Sequence, residues 1–289
     1  FAARRCDLSW YRRVESYFDL LVAVADMCAF RQTHAGGFHL AQSQQVWDAY
    51  TSEWYAMDAA YRHMCTAYLR ARSVECDALE EPARAVADWA ENLYSNWFLA
   101  DANACWAAAA QGEWADCGYI DGPARQDEFY WHVLPAFVGS AKTTVVIVSD
   151  ALRYEVARDV AALLERERGG NVKVSSMQAV FPSITEVGIP ALPHQVLELA
   201  EDGAFVLADD MPTATTPQRE AVLAHVEPTA RALRSSAYLN MAGTERKAML
   251  KDSRLVYLYH NKIDATGEKA ATQDDVFDAC TDTVEELAA

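Results

Sequence analysis

The sequence predicts an α/β fold, a mostly parallel sheet flanked by helices and preceded by an all-α helical domain. Three observations carry that expectation. Thr144-Val145-Val146-Ile147-Val148 is a continuous apolar, β-branched run, the pattern of a strand buried on both faces of a parallel sheet. The run ends at Ser149-Asp150, and Arg153 to Arg166 follows with helical periodicity. All eight tryptophans lie before residue 132, in a half whose apolar residues recur three and four apart. Asp150 thus stands at the carboxyl end of a predicted central strand, where open α/β sheets place ligand chemistry. An aspartate at a strand–helix junction also caps helices, and the junction alone leaves both roles open.

Length and charge narrow the function classes. The 289 residues suffice for two domains, expected as a helical bundle over 1–125 and an α/β domain over 126–289. The chain starts at Phe1 without a methionine and reads as a piece of a longer protein. Its net charge of −17 repels polyphosphate at long range, which excludes a generic basic DNA-binding module. A nucleic-acid partner would need divalent cations, a local basic patch or another subunit. Seven scattered cysteines without a Cys-x-x-Cys pair suit buried thiols in a reducing cytoplasm better than a disulfide frame or zinc cluster. No apolar run reaches membrane-spanning length and no secretion signal opens the chain, so the expectation is a soluble, cytoplasmic protein with no membrane partner.

Asp7 is placed to cap a helix running through Trp10, Val14, Tyr17, Leu21 and Val24 to about Phe30, which Thr33–Gly37 breaks. In the next helix Trp47, Tyr50, Trp54, Met57, Tyr61, Met64 and Tyr68 form one seam. That spacing suits helix–helix core better than a platform for bases or a cofactor. Another helix runs from Pro82, a favoured first-turn residue, to Ala110, and a shorter one from Gln126 to Val138. After strand 143–149 and its helix, Gly169-Gly170 leads to an expected strand Val172–Val180, a turn Phe181–Thr185 and a short helix Glu186–Leu192. An edge strand over 204–207, a helix over 218–225 and a looser segment to Gly243 precede a second buried strand, Arg254–His260. An amphipathic helix over 272–287 follows.

Two nucleotide-binding signatures are incomplete. Gly139-Ser140-Ala141-Lys142-Thr143 has alanine where a phosphate loop needs glycine, at 141 and 136, and it precedes a strand instead of following one. Asn261-Lys262-Ile263-Asp264 matches a guanine-selecting tetrad but stands without that loop. A different grouping is coherent. Asp150 and Asp264 both follow apolar strands, so in a parallel sheet both emerge on one rim. Thr185 precedes a helix, where backbone N–H groups favour an anion beside its hydroxyl. With Glu268 these residues suit divalent metal ions and phosphoryl transfer, the metals lowering the hydroxyl pKa and neutralising charge on the phosphoryl oxygens. Each also has a plain structural role: Thr185 as a helix cap, Asp264 with Gly267 as a turn, Glu268 as a solvated acid. Their coincidence at three strand ends is what favours a site. His260, alternating with Tyr259 on a buried strand, is either a metal ligand or a core histidine. Arg153 either contacts the phosphate or pairs with Glu155 or Asp150. His34 and His39 read as surface residues.

Three ordered segments also resemble a known family: Val148-Ser149-Asp150-Ala151-Leu152-Arg153-Tyr154-Glu155, Phe181-Pro182-Ser183-Ile184-Thr185-Glu186-Val187-Gly188 and Tyr259-His260-Asn261-Lys262-Ile263-Asp264-Ala265-Thr266-Gly267. They are similar to motifs of the PglZ domain of bacteriophage-exclusion (BREX) defence systems, within the alkaline phosphatase superfamily. The resemblance covers about residues 128–289, and the helical half resembles the region preceding that domain more weakly. It implies that 126–289 is the N-terminal part of an alkaline phosphatase-like domain. The implied activity is a metal-dependent phosphoesterase, phosphodiesterase- or nuclease-like, in phage defence. Its cofactors would be two divalent metal ions, Zn or Mn/Mg. Asp150 would ligate one metal, Thr185 would attack phosphorus and bridge to the same metal, and Asp264 would ligate the second. Related phosphodiesterases read Asp-x-x-Gly-His where this chain has Asp264-Ala265-Thr266-Gly267-Glu268, so the harder ligand Glu268 leaves the metal's identity open. The superfamily's further Asp-His pair and final His have no match before residue 289, so an incomplete site is expected, inactive alone. Expected partners are other BREX proteins, with nucleic acid reached through metal and partner subunits. The alternative is a non-catalytic scaffold whose aromatic helical half docks other members of a defence complex.

Overall fold

The computed structural model describes residues 10–74, 76–135, 143–169, 171–193, 197–200 and 206–289. The expected cap Asp7, the incomplete phosphate loop over 136–142 and the start of the expected strand 204–207 lie outside them. The chain forms two compact units that interleave in sequence. One is Phe1–Gly122 with Arg153–Val174 and Lys269–Ala289; the other is Pro123–Leu152 with Ser175–Glu268.

The first unit is helical. Helix α1 (Glu15–Thr33) is followed by α2 (Ser43–Ala49), which runs through a π-helical turn, Tyr50–Trp54, into α3 (Tyr55–Arg72). Helix α4 (Asp77–Asn92) continues through a second π-helical turn, Leu93–Leu99, into α5 (Ala100–Cys117). The first turn of α4 is set by Asp77 and Glu80, whose charges suit a helix N-terminus. Pro82 therefore lies inside the helix and not in its first turn, where it forgoes a backbone hydrogen bond. The later segments of this unit supply α6 (Tyr154–Arg168) and a closing helix, Val276–Ala288. Leu20, Met27, Met57, Met64, Ala90 and Phe98 are almost wholly buried in its core. The aromatic seam is core as its spacing predicted: Trp54 is buried, and Tyr50, Tyr61 and Tyr68 pack around it. Cys28, Cys65, Cys76, Cys105 and Cys280 are free thiols.

Charge is also buried here, and it is paired. The Tyr50 and Tyr94 hydroxyls donate to the two oxygens of Asp58 at 2.5 and 2.8 Å. Arg62, 2% exposed, pairs with Asp159 and lies 3.8 Å from Glu155. Such clusters are tolerated inside proteins only when each charge has partners.

The second unit holds the sheets. In chain order its strands are β1 (Thr144–Ser149), β2 (Leu197–Leu199), β3 (Val206–Ala208), β4 (Met211–Pro212), β5 (Arg231–Arg234) and β6 (Leu255–His260). The main sheet has the order β1-β6-β5, all parallel. Its register pairs Ser149 with His260 and Arg234 with Tyr259. The other three strands form a small antiparallel sheet that the sequence reading did not anticipate. Val146, Val148, Ala232, Tyr257 and Tyr259 of the main sheet pack with Tyr130, Leu134, Ile189 and Leu223.

Three expectations change. The strand buried throughout is β6, not β1, whose Val145 and Ile147 are 43% and 48% exposed. Among the described residues β6 is paired on both sides and β1 on one. Residues 172–180 form no strand beyond a single bridge from Gln178 to Arg125. The backbone there bonds the loop before Gln126 instead of a ladder, through Gln126 N–H to Gln178 O at 2.8 Å and Gln178 N–H to Ala124 O at 2.7 Å. Conversely, the segment read as loose before Gly243 contains β5 and helix Ser235–Asn240.

The half-buried Asp58 gives the first unit a pH signature. Burial raises its carboxyl above the ordinary 3.8, against the pull of both tyrosine hydroxyls and Arg153. The folded state thus holds this proton to higher pH than the unfolded state, and this group's contribution to stability declines as pH rises through the interval above 3.8. Asp58→Asn removes that slope, so the variant's stability relative to the native chain should rise with pH across that interval in urea unfolding. Asp58→Ala, which leaves both tyrosine hydroxyls unpaired, should cost about 1–3 kcal/mol. A pH-independent difference for the Asn variant would refute the assignment.

Candidate active site

The parallel register puts the carboxyl ends of β1, β6 and β5 on one rim, and the second unit's candidate residues gather there. The Asp150 N–H extends the ladder to His260 O at 2.8 Å. Immediately afterwards the chain turns sharply. Ala151 has φ +59°, a left-handed conformation costly for a residue with a Cβ, and its N–H donates to Asp150 Oδ1 at 3.1 Å. The other carboxylate oxygen, Oδ2, accepts a hydrogen bond from Thr185 Oγ1 at 3.0 Å.

Thr185 opens helix α7 (Thr185–Ala191), with Ile184 as its extended N-cap. Gln126 steadies that element, donating to Gly188 O at 2.8 Å and accepting from Val180 N–H at 3.2 Å. Beyond β6, Asp264 lies in a short helix, Lys262–Gly267, and the Glu268 N–H bonds Asp264 O at 2.9 Å. Four residues apart, the two acids share a helical face. Asp150, Thr185, Asp264 and Glu268 all line one cleft of about 600 Å³.

The electrostatics are those of crowded acids. Burial raises the Asp264 carboxyl above its usual value, and Asp150, Glu268 and Glu186 raise it further. A divalent cation relieves such repulsion, and these hard oxygen donors fit one in kind. They do not make a complete ligand set: among the described residues no three His, Cys, Asp or Glu side chains converge on a possible ion.

His260 is 6% exposed, and its Nδ1 lies 2.9 Å from Ser149 Oγ, so one ring nitrogen is engaged with the neighbouring strand. Arg153 belongs to the first unit, where its charge acts on Asp58, Tyr94 and Glu155. Sequence reasoning gave no role to Glu186, which adds to the acidic crowding, or to Gln126. It also missed Arg219 and Arg234, which line a second cleft that includes Asp150, Thr185 and Asp264. Arg234 could have been found only by recognising Arg231–Arg234 as a strand ending on the same rim.

Residues 129–289 match the BREX system PglZ alkaline phosphatase-like domain. The chain belongs to the PglZ family. It is 34% identical over 275 residues to the alkaline phosphatase-like protein BrxZ of Escherichia coli O9:H4 (strain HS), covering 93% of this chain and 31% of BrxZ. It is 30% identical over 291 residues to the alkaline phosphatase-like protein PglZ of Bacillus cereus (strain H3081.97), covering 99% of this chain and 33% of that protein. The chain therefore spans about a third of the length of these curated relatives. The helical region followed by a parallel sheet flanked by helices is the architecture of an alkaline phosphatase-like α/β fold. Among the described residues of this PglZ chain, no helix is long and apolar enough to cross a membrane.

Crowding at Asp264 makes opposite predictions with and without metal. In excess EDTA, Asp264→Asn should raise the melting temperature of the full-length protein by a few degrees, because it removes one of the mutually repelling charges. Added manganese or zinc should then stabilise the native protein and not the variant. A variant that melts lower in EDTA would contradict the repulsion.

Proposed function

We propose that this chain carries the nucleophile and part of the metal set of a metal-dependent phosphodiesterase acting in phage defence. The observation that supports it most is the 3.0 Å hydrogen bond from Thr185 Oγ1 to Asp150 at the carboxyl rim of a parallel sheet. There a hydroxyl is held by a carboxylate at a helix start, the arrangement expected of an activated oxygen nucleophile. Thr185 Oγ1 attacks phosphorus in line, the bond to the leaving oxygen breaks, and water then hydrolyses the phosphothreonine. Asp150 orients the hydroxyl and draws on its proton. Asp150 and Thr185 would hold one ion, and Asp264 with Glu268 a second. Bound divalent ions would neutralise the phosphoryl oxygens and lower the hydroxyl pKa. Zinc, manganese and magnesium all accept such oxygen donors. The proposed roles of Arg153 and His260 are indirect: Arg153 anchors the start of α6 in its polar cluster, and His260 fixes Ser149 beside Asp150. Other BREX proteins are the proposed partners, with nucleic acid as the substrate they present.

Thr185→Ala in the full-length protein should reduce hydrolysis of bis-p-nitrophenyl phosphate by more than ~10³-fold while leaving the protein folded, with only the small loss of stability expected of one hydrogen bond. Undiminished turnover would remove Thr185 as nucleophile. Metal-independent binding of partner proteins with no turnover by the native protein would leave the scaffold reading.

A further inference from the structure

The rim carries cations as well as acids, on the side away from Glu268. A second cleft of about 550 Å³ includes Asp150, Thr185 and Asp264, and it continues over Thr215, Arg219, Arg234 and Asn261. The acids Glu186 and Glu268 line the first cleft and not this one. The first cleft thus presents four acids and no cation, whereas in the second two arginines offset the two aspartates it shares with the first.

Arg219 is held in place. Its Nε donates to Thr213 O at 2.8 Å, and its guanidinium lies 5.1 Å from the centre of the Tyr259 ring. Thr213 is itself 2% exposed and anchored by its hydroxyl to Val206 O at 2.6 Å. Among the described residues, the guanidinium's hydrogen bonds go to carbonyls and not to a carboxylate. Burial lowers its pKa, while Tyr259, Asp150 and Glu186 work the other way, so the group is desolvated and stays charged. Tyr259 is 8% exposed, and its buried hydroxyl has no hydrogen-bond partner among the described residues.

Arg234 comes from a different element. It ends β5 in register with Tyr259, and its side chain is exposed at the cleft. Among the described residues it makes no ion pair, whereas Arg231 at the other end of the strand is paired with Glu220 at 3.3 Å. An anionic group lying here would meet one desolvated guanidinium whose partners are carbonyls and a second that makes no ion pair among the described residues, and charge-assisted hydrogen bonds to both would favour it.

We infer that this cleft is a second phosphate subsite, in which Arg219 and Arg234 grip a phosphate one linkage away from the group attacked at Thr185. The inference rests on the phosphodiesterase reading for events at Thr185, but the subsite is tested by binding alone. The substrate then carries at least two phosphates in series. A nucleoside polyphosphate and a polynucleotide backbone both supply that chemistry.

The test is calorimetric binding to the full-length protein. Native protein should bind inorganic pyrophosphate at least ~10-fold tighter than orthophosphate, the scale of a charged hydrogen bond. Arg234→Gln, an exposed position that does not threaten folding, should abolish that preference, and Arg234→Lys should restore part of it. Arg219→Lys, which keeps charge but loses the planar fork, should weaken pyrophosphate alone. Preference for ADP over AMP would identify a nucleotide polyphosphate, and preference for thymidine dinucleotide over thymidine monophosphate a polynucleotide. No preference for pyrophosphate in the native protein, or one that survives Arg234→Gln, would overturn the subsite. If the arginine-dependent preference holds while the native protein cleaves no phosphodiester, the subsite stands and the phosphodiesterase reading falls.

Discussion

The second unit depends on the parallel pairing of β1 with β6. Six residues of each strand pair in register, and the Asp150 N–H extends the ladder by one more hydrogen bond. Side chains alternate across the sheet, so a slip of one residue would send Tyr257 and Tyr259 to the other face, away from Tyr130, Ile189 and Leu223. Burial of β6 at every position makes such a slip costly. The register therefore fixes where Asp150 leaves the sheet relative to the short helix bearing Asp264. It also brings Ser149 Oγ to His260 Nδ1, a polar tie across the last pair of residues. The left-handed Ala151 is tolerated because the ladder on one side and the Asp150 side chain on the other hold the turn.

A rigid rim makes its charges effective. The backbones of Asp150, Asp264, Glu186 and Glu268 are set by the strand end and short helices that carry them, and the Asp264 pKa is raised first by burial and then by the charges of the other three. The Thr185 hydroxyl offsets only a fraction of that repulsion through one hydrogen bond. Stability and the proposed cation binding are thus opposed at these positions.

Much of this was legible in the sequence because it follows from periodicity. The Thr144–Val148 run, the Leu255–Tyr259 run and the polar residues after each place two aspartates on one rim in any parallel sheet. The aromatic seam on residues 47–68 is equally a matter of spacing, although a π-helical turn at Tyr50–Trp54 alters the helical geometry in a way that composition does not signal. What stayed hidden depends on partners distant in sequence. Arg231-Ala232-Leu233-Arg234 has too few apolar residues to announce a strand, and becomes one because β6 offers it a free edge. Val172–Val180 has the composition of a strand, but its backbone bonds the loop before Gln126. The short helix bearing Asp264 was not foreseen, because six residues leave little room for periodicity. Arg153 reads equally well as a phosphate contact or a structural cation, and its electrostatic influence on the half-buried Asp58 and buried Glu155 is what favours proposing the second role.

The hidden strand also bears on how so acidic a chain can handle an anionic substrate. At physiological ionic strength a charge is screened over about 8 Å, so the net charge of −17 governs the approach of a polyanion more than its final placement. Inside a cleft the nearest groups dominate, and desolvation strengthens them. Arg219, stacked on Tyr259 and bonded to Thr213, presents its charge at little entropic cost because its conformation is already set. Arg234 adds a second charge from a strand end, independent of the first. Long-range repulsion with short-range capture slows association of non-specific polyanions while leaving the bound state of a fitting one intact. With the proposed subsite in place, an acidic surface around a cleft that carries two arginines would act as a filter on substrate, and its selectivity should weaken as added salt screens the surface and leaves the cleft.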